Sequence, residues 1–440
     1  MRHIMGSAKR RIRLSMVMAL GALATSPQSA LAGGFGVREQ STEFQGMSFA
    51  GNATSGGGLS GMYWNPAVAA YAPAGLYTES HYAGIFGDVE IMGRNQFGTG
   101  RADSGNIAKG AAVPASYMSY RLNERMVLAV SFNSPFGLVT EPSNRVWAGQ
   151  TMARTSDIKT YNFSPTLAYR LSPTLAIGVG LQIEHMTGRL KSASGLGAGA
   201  ANAVIQGDDT AFGFTAGLDF TPTASTHIGL GYRSSIDHTL EGTMFLTPQV
   251  GAFAAGIKAG VTLPETVTFS LRQDLAPRWT MLGTVEWMQW SRLEKLDVRC
   301  ANTSPNAFCA QGNGQLARSL ALGWHDSWFF SAGLEHAYSD RLKLRGGIAY
   351  ELSPVQNADE RSLRVPDLDR LWTSIGATYK WNDKITLDLA YTHIFGVGDD
   401  KIDRLESGVR FVGDVDSQVD IVSASLKVKL GADDTYLPLK

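Results

Sequence analysis

From Ala74 onward the chain alternates apolar and polar residues with a period of two. In "ITLDLAYTHIF" (385–395), Ile385, Leu387, Leu389, Tyr391 and Phe395 share one face, with Thr386, Asp388, Ala390 and Thr392 opposite. "LWTSIGATYKW" (371–381) sets Leu371, Ile375, Ala377, Tyr379 and Trp381 against Ser374, Gly376, Thr378 and Lys380. "WTMLGTVEW" (279–287) and "IVSASLKVKL" (421–430) repeat the pattern, the latter with Val422, Ala424, Leu426, Val428 and Leu430 on one side. Alternation of this kind predicts strands with one apolar and one polar face. Fourteen such strands are read, near 75–86, 110–121, 125–134, 156–171, 174–189, 209–221, 226–237, 263–274, 278–290, 327–338, 341–351, 370–381, 384–395 and 418–430.

A soluble antiparallel sandwich also alternates, so the connections decide. They switch strictly between tight turns such as "NE", "SP", "AP" and "SD" and long loops. An up-and-down barrel in an outer membrane predicts that rhythm, with short turns at the periplasmic end, long loops outside and an even strand number. Aromatic residues near strand ends, among them Trp279, Trp287, Trp328, Tyr338, Tyr350, Tyr379 and Trp381, suit interfacial girdles. The predicted fold is therefore all-β: a 14-stranded antiparallel transmembrane β-barrel over 74–440, preceded by an N-terminal luminal hatch with short helices over 33–73.

The first residues add an address. "MRHIMGSAKRRIRLSMVMALGALATSPQSALA" has a basic start, an apolar stretch too short to span a bilayer, and small residues at Ala30 and Ala32. Residues 1–32 are expected to be a cleaved secretory signal peptide, which places the protein in the outer membrane of a bacterial cell. The whole chain carries 39 basic and 39 acidic residues. Removing the five basic residues of the signal leaves 34 − 39 = −5, a poor balance for nucleic-acid binding, and none is expected.

Residues 33–73 lack the strand period. Two short helices are expected there, around Thr42–Phe49 and after Pro66, joined by the glycine-rich "AGNATSGGGLSG". Asn65, Pro66 and Ala67 form a helix start, with an Asn cap followed by proline at the first helical position. A fourteen-stranded barrel leaves a lumen, and a compact glycine-rich segment fits as its plug. The alternative is a disordered periplasmic tail, against which Phe35, Phe44, Phe49, Tyr63 and Trp64 speak.

Cys300 and Cys309 close one loop-like stretch, "CANTSPNAFC", a spacing that in an exported protein suggests a local disulfide. No further metal-ligating residues gather around them, so no metal site is expected. Nor is a cofactor or an enzyme activity expected: the eight histidines show no Ser–His spacing on one face, and His336 and His393 have lipid-facing parity. The inward polar set Glu184, Asp219, Arg272, Glu286, Arg345, Asp388 and Lys427 reads as luminal ion pairs or hatch anchors. "VSFNSPFG" (130–137) carries a local flaw: Pro135 has no N–H to donate, and Gly137 weakens a strand further. It marks either an ordinary strand end or bulge, or a functional break. Pro165 lies in the next strand.

"GGFGVREQ", "GMSFAGNA" and "MYWNPAVAAY", with "SPFGLVTEP" (134–142) and "SPVQNADERSLRVPDLDRLWTSIGATYKWNDKITLDLAY" (353–391), resemble the FadL-type long-chain fatty acid transporters, a group that includes the TodX-like aromatic hydrocarbon channels. The resemblance runs from Gly33 to the last strand. It implies a 14-stranded barrel with a luminal hatch and passive uptake of a hydrophobic small molecule, a fatty acid or an aromatic hydrocarbon. It further implies a monomer set among outer-membrane lipid and lipopolysaccharide and folded by the barrel assembly machinery. By the same resemblance, Asn133, Ser134, Pro135, Phe136 and Gly137 form a kink that opens the wall sideways, and Phe35 reaches an inner pocket. Arg189, Lys191 and Arg318 are the candidate partners for a carboxylate, and Val146 and Trp147 belong to an outer capture groove. Barrels of this class end on an aromatic residue; here the last strand closes at Leu430 and "GADDTYLPLK" follows. Two other classes share parts of this pattern. A general porin has the barrel without an apolar plug, and an adhesin uses the long loops.

Overall fold

The computed structural model describes residues 33–247, 254–301 and 309–430. The signal expected at 1–32 and the tail "GADDTYLPLK" lie outside the described residues.

Fourteen antiparallel strands make one closed sheet. In chain order they are β1 (Leu76–Asn95), β2 (Ala111–Arg121), β3 (Met126–Asn133 and Gly137–Thr140), β4 (Thr155–Ser172), β5 (Leu175–Ala193), β6 (Asn202–Thr223) and β7 (Thr226–Arg233 and Ile236–Thr247). There follow β8 (Ala254–Leu263 and Thr266–Ala276), β9 (Trp279–Met288 and Lys295–Cys300), β10 (Leu316–Ala321 and Ser327–Ala337), β11 (Leu342–Glu351), β12 (Asp369–Lys380), β13 (Ile385–Val397) and β14 (Val409–Leu430). The cylinder closes where β1 pairs with β14, from Leu76↔Leu430 to Asn95↔Phe411. Hydrocarbon offers backbone groups no partners, so a sheet can cross it only without edges.

The short-turn ends of the strands fall close to their predicted limits, but many of the long-loop ends run on. β1 reaches Asn95, β6 begins at Asn202 and β14 at Val409. Twenty-two residues of β6 amount to about 70 Å of strand, against an apolar band about 25 Å tall. The extra length has its own pattern. In lower β1 the apolar Tyr82 and Phe86 face out while Glu79 and His81 are buried inside; higher up, Val89 and Ile91 are buried inside while Asp88, Glu90 and Arg94 face out. The parity never changes, but the polarity of the two faces inverts. Below, the outside is lipid; above, it is water, and the apolar side chains turn inward.

Residues 33–73 sit inside the bore. α1 (Thr42–Gln45) is a single turn capped by Ser41, and 3-10 helices follow at Leu59–Tyr63 and Pro66–Tyr71. Asn65 caps the last of these, its side-chain oxygen accepting from Ala67 N at 3.0 Å, while its Nδ2 donates to the Ala53 and Leu218 carbonyls. Close approach is made possible by glycines of the wall rather than of the plug. A Cβ on Gly231 would overlap the Trp64 carbonyl, and one on Gly217 the Asn65 side chain. Phe44, Met47, Phe49 and Trp64 pack on the wall residues Leu282, Phe329 and Trp372.

Charge fixes the plug as firmly as apolar contact does. Arg38 pairs with Glu286 of β9 at 2.5 Å and Glu351 of β11 at 3.1 Å, with its guanidinium 3.9 Å from the Phe329 ring centre. Glu43 pairs with Lys427 of β14, which also meets Asp388 at 3.1 Å, and Arg345 joins Asp388 to Glu335. Ser55 bonds both oxygens of Asp219, and Leu59 N and Ser60 N donate to Glu79. The inward polar residues thus do both things expected of them. Removing one member of such a buried set leaves charge unpaired. Lys427→Met is expected to cost about 3 to 5 kcal/mol, read as a lower unfolding midpoint of the purified barrel, with Lys427→Arg retaining most of the stability.

Candidate functional site: an apolar cavity behind a break in the wall

Polarity inversion makes the long-loop half of the bore greasy, and there a cavity of about 90 Å³ lies behind β4–β10. Its lining is almost wholly apolar: Phe35 from the plug, Ile158, Met186, Leu190, Ile205 and Leu240 from β4–β7, Val261 from β8, and Leu293, Leu296, Val298 and Leu322 from the β9–β10 region. It is smaller than the roughly 150 Å³ that admits a benzene ring. Loading therefore requires something to move.

Phe35 is the lining residue that the plug contributes. It is buried with its ring centre 4.9 Å from Trp290, 5.7 Å from Trp324 and 5.9 Å from Phe136. Trp290 belongs to a short 3-10 helix, Trp290–Arg292, that interrupts β9, so the strand expected to run to 290 stops at Met288. Trp324 lies in the corresponding interruption of β10.

Phe136 ties the cavity to the break in β3. Paired positions of β2 and β3 end at Ser116↔Phe132 and resume only at the isolated bridge Ala108↔Thr140. Between them β3 loses β2 as a partner and takes the plug instead. Val37 N donates to Pro135 O at 2.8 Å, Gly137 N to Phe35 O at 2.8 Å, and Gln40 Nε2 to Ser134 O at 2.9 Å. Asn133 Nδ2 donates to Gln40 Oε1 at 3.1 Å and Tyr117 Oη at 2.8 Å. Asn133–Gly137 and Phe35 are thus brought together. Pro165 differs: it keeps its pairing with Val130 of β3, and the positions skipped there, Ser164 and Pro165, face β5.

The basic candidates separate. Arg189 is exposed on the outer surface beside Asp157, Asp208 and Glu241, on the polar side that the inversion predicts. Lys191 is half-buried in a narrow polar cleft with Glu141, Arg145 and Arg154. Arg318 points inward next to Val298, donating to Ser192 Oγ at 3.0 Å and pairing with Glu406 at 2.8 Å. Val146 is half-buried, and Trp147 is fully buried against Phe411 in a loop cluster with Ile91, Met152 and Leu363. Cys300 and Cys309 are disulfide-bonded at the top of β9.

Sequence reasoning missed Arg364. It lies in the β11–β12 loop, buried, donating to the carbonyls of Thr155 and Lys191 and to Ser156 Oγ at 3.1–3.3 Å. Burial lowers its pKa to about 10, the charge of Arg318 acting in the same direction and Glu406 opposing. Ser156 and Lys191 flank Ile158 and Leu190, so Arg364 stands close to the apolar cavity, as does Arg318 beside Val298 with its own partner Glu406. The signal was present in "ERSLRVPDLDR", three arginines in eleven residues; all three are buried, but nothing local says that Arg364 is the one aimed at β4 and β5.

Residues 22–429 match the family model described as Outer membrane protein transport protein (OMPP1/FadL/TodX). The long-chain fatty acid transport protein of Escherichia coli O6:H1 is 26% identical over 420 residues, covering 87% of this chain and 90% of its own. Outer membrane protein P1 of Haemophilus influenzae is 25% identical over 411 residues, covering 83% and 86%. Among solved structures, a Pseudomonas aeruginosa FadL homologue superposes with a TM-score of 0.80 at 21% identity, covering 90% of this chain and 99% of that one. The Pseudomonas putida toluene transporter TodX gives 0.66 at 15% identity, covering 91% and 100%.

If the cavity takes an acyl chain, the tryptophans packed on Phe35 will report it. A bromine-labelled stearate titrated into the purified protein is expected to quench tryptophan emission, and Trp290→Phe with Trp324→Phe should remove most of that quenching. Undiminished quenching in the double variant would place the chain elsewhere.

Proposed function

This chain belongs to the outer membrane transport family OMPP1/FadL/TodX, and from that premise we propose that it takes up long-chain fatty acids by passive diffusion. The observation that carries the substrate class is a pair of cations beside an apolar cavity: buried Arg364 and half-buried Arg318 for a carboxylate, Phe35, Leu190 and Val298 for a chain. A relative named for long-chain fatty acid transport supports it. An ionised carboxylate is expensive to bury without a partner, so an unbalanced guanidinium pair selects for an acid over a neutral hydrocarbon.

The route has four steps. An amphiphile is captured among the long loops, where Val146 and Lys191 border the mouth. Its tail then enters the cavity as Phe35 withdraws. Phe35 and Val37 are hydrogen-bonded to β3 itself, so withdrawal of the plug's first residues both enlarges the cavity and uncovers Asn133–Gly137. The chain then leaves sideways between β2 and β3 into the bilayer. Release into water instead would cost about 0.8 kcal/mol per methylene. The plug need not leave the bore, because its ion pairs lie further along the segment, from Arg38 to Glu43. The unit acting is read as a monomer, since bore, plug and break all belong to one chain, inserted among outer-membrane lipid and lipopolysaccharide by the barrel assembly machinery.

Uptake of labelled oleate and labelled toluene, in a strain lacking its own transporters, tests the reading. Arg364→Leu with Arg318→Leu is expected to lower oleate uptake at limiting concentration by about 10- to 100-fold, the value of a charge-assisted hydrogen bond, and to spare toluene. Equal loss of both, or toluene uptake alone in the parent, would favour a neutral aromatic cargo. Pro135→Ala with Gly137→Val, which restores backbone donors and strand propensity in β3, is expected to lower uptake of any cargo without changing the folded fraction. Unchanged uptake would remove the sideways exit.

A further inference from the structure

Away from the Trp290–Arg292 interruption, the wall lapses again in a seam between β6 and β7, at a stretch that holds Gly213 but no proline. Paired positions run from Thr223↔Thr226 to Thr215↔Arg233 and stop. They resume at Asp208↔Glu241 with the register moved by one residue, and continue to Asn202↔Thr247. Asp209–Phe214 and Ser234–Leu240 are skipped, although each stretch keeps its other neighbour: β5 pairs along 209–214, and β8 pairs with Ile236–Leu240. A simple bulge accommodates one extra residue and skips one or two positions. This interruption is about as long as the one between β2 and β3.

One backbone bond remains at its lower end, Ser234 N to Phe214 O at 2.9 Å, and side chains bridge the rest. Phe214 N donates to Ser234 Oγ at 2.9 Å. At the upper end Asp209 reaches across, accepting from Thr239 N at 3.0 Å and meeting His238 Nδ1 at 3.1 Å. His238 is buried, with Nε2 3.6 Å from Glu184 of β5. A wall facing lipid gains nothing from a lapse in its ladder, and polar bridges of this kind open more readily than a run of backbone bonds because each joins the strands at a single point.

Position gives the seam a use. On the outside, Phe212 and Phe214 are exposed at its lower part, while Asp208 and Glu241 are exposed just above it, so it straddles the boundary between the apolar and polar outer surfaces. On the inside, the cavity that holds Phe35 reaches Gly207 and Leu240 at the seam's upper edge. We propose that β6 and β7 part at Asp209–Phe214 to form a second lateral passage, through which a single-chain amphiphile lying in the membrane reaches the cavity directly, its polar head level with the cleft where Lys159 and Arg189 stand beside Asp208 and Glu241, and its tail passing between Phe212 and Phe214 on one side and Asp237 and Leu240 on the other. This rests on the channel reading above but not on the β3 exit.

The test is to stitch the seam. Phe212 and Asp237 both face out across it, and no free cysteine occurs among the described residues, so Phe212→Cys with Asp237→Cys gives a unique pair for a short bismaleimide applied to cells already carrying folded protein. Stitching is expected to lower oleate uptake severalfold relative to the same protein before treatment. Neither single-cysteine variant should respond, nor should Val179→Cys with Ala216→Cys, a pair already joined in the β5–β6 ladder. Unchanged uptake in the stitched protein, with the untreated protein active, overturns the passage and leaves the channel standing; no uptake by the parent protein removes both. Should the double variant not fold, amide exchange in the parent protein decides: 235–240 is expected to exchange faster than 241–247, and equal protection overturns the proposal.

Discussion

Everything in this molecule follows from the refusal of hydrocarbon to accept or donate a hydrogen bond. A chain that must cross it in strands has to close on itself, and β1 meeting β14 along its full length satisfies that demand. The same constraint gives meaning to two of the places where the ladder lapses. At the β2–β3 break the missing partner is supplied by the plug, whose residues 35–40 bond to Ser134, Pro135 and Gly137. At the β6–β7 seam it is supplied by Asp209 and Ser234. Where the wall is unbroken, nothing from inside is needed to complete it.

Closure also sets the chemistry of the bore. Over the height of the bilayer the apolar faces point out, so the lumen inherits the polar ones, and a plug fits there only by answering charges with charges. Arg38 and Glu43 do so against Glu286, Glu351 and Lys427. Once the strands clear the lipid, water takes the outer face and the apolar side chains turn in. The cavity is therefore a consequence of strand length: a barrel trimmed to the bilayer would have the plug and no greasy chamber above it.

How much of this was readable in the residues depends on which solvent wrote the pattern. Between the turns and the upper edge of the bilayer, lipid enforces one phase of alternation, and the strand limits there were legible, as was the Asn65 cap with its proline. Above that edge the alternation persists in "GDVEIMGRN" but with its polarity reversed, so the strand reads as finished at Phe86 while it continues to Asn95. Arg189, a candidate partner for a carboxylate, stands on the water-facing side of that reversal. Pro135 was legible because the missing N–H is a property of the residue. The β6–β7 seam was not, because the single Gly213 in "DTAFGF" marks no break by itself, and the failure to pair with "SIDHTL" depends on the register each has with its other neighbour. Arg364 escaped for a related reason: a loop arginine turns inward only because Thr155, Ser156 and Lys191 offer it oxygens.

The glycines that let stopper and sleeve touch have an implication for how such a protein can diverge. Because the Trp64 carbonyl lies where a methyl group on Gly231 would be, and the Asn65 amide where one on Gly217 would be, neither surface can drift alone. Variation at this junction has to come as matched changes, a smaller loop inside with each larger residue outside. The inner end of the barrel is in that sense frozen, leaving the loops and upper chamber as the region where a lineage is free to retune its cargo.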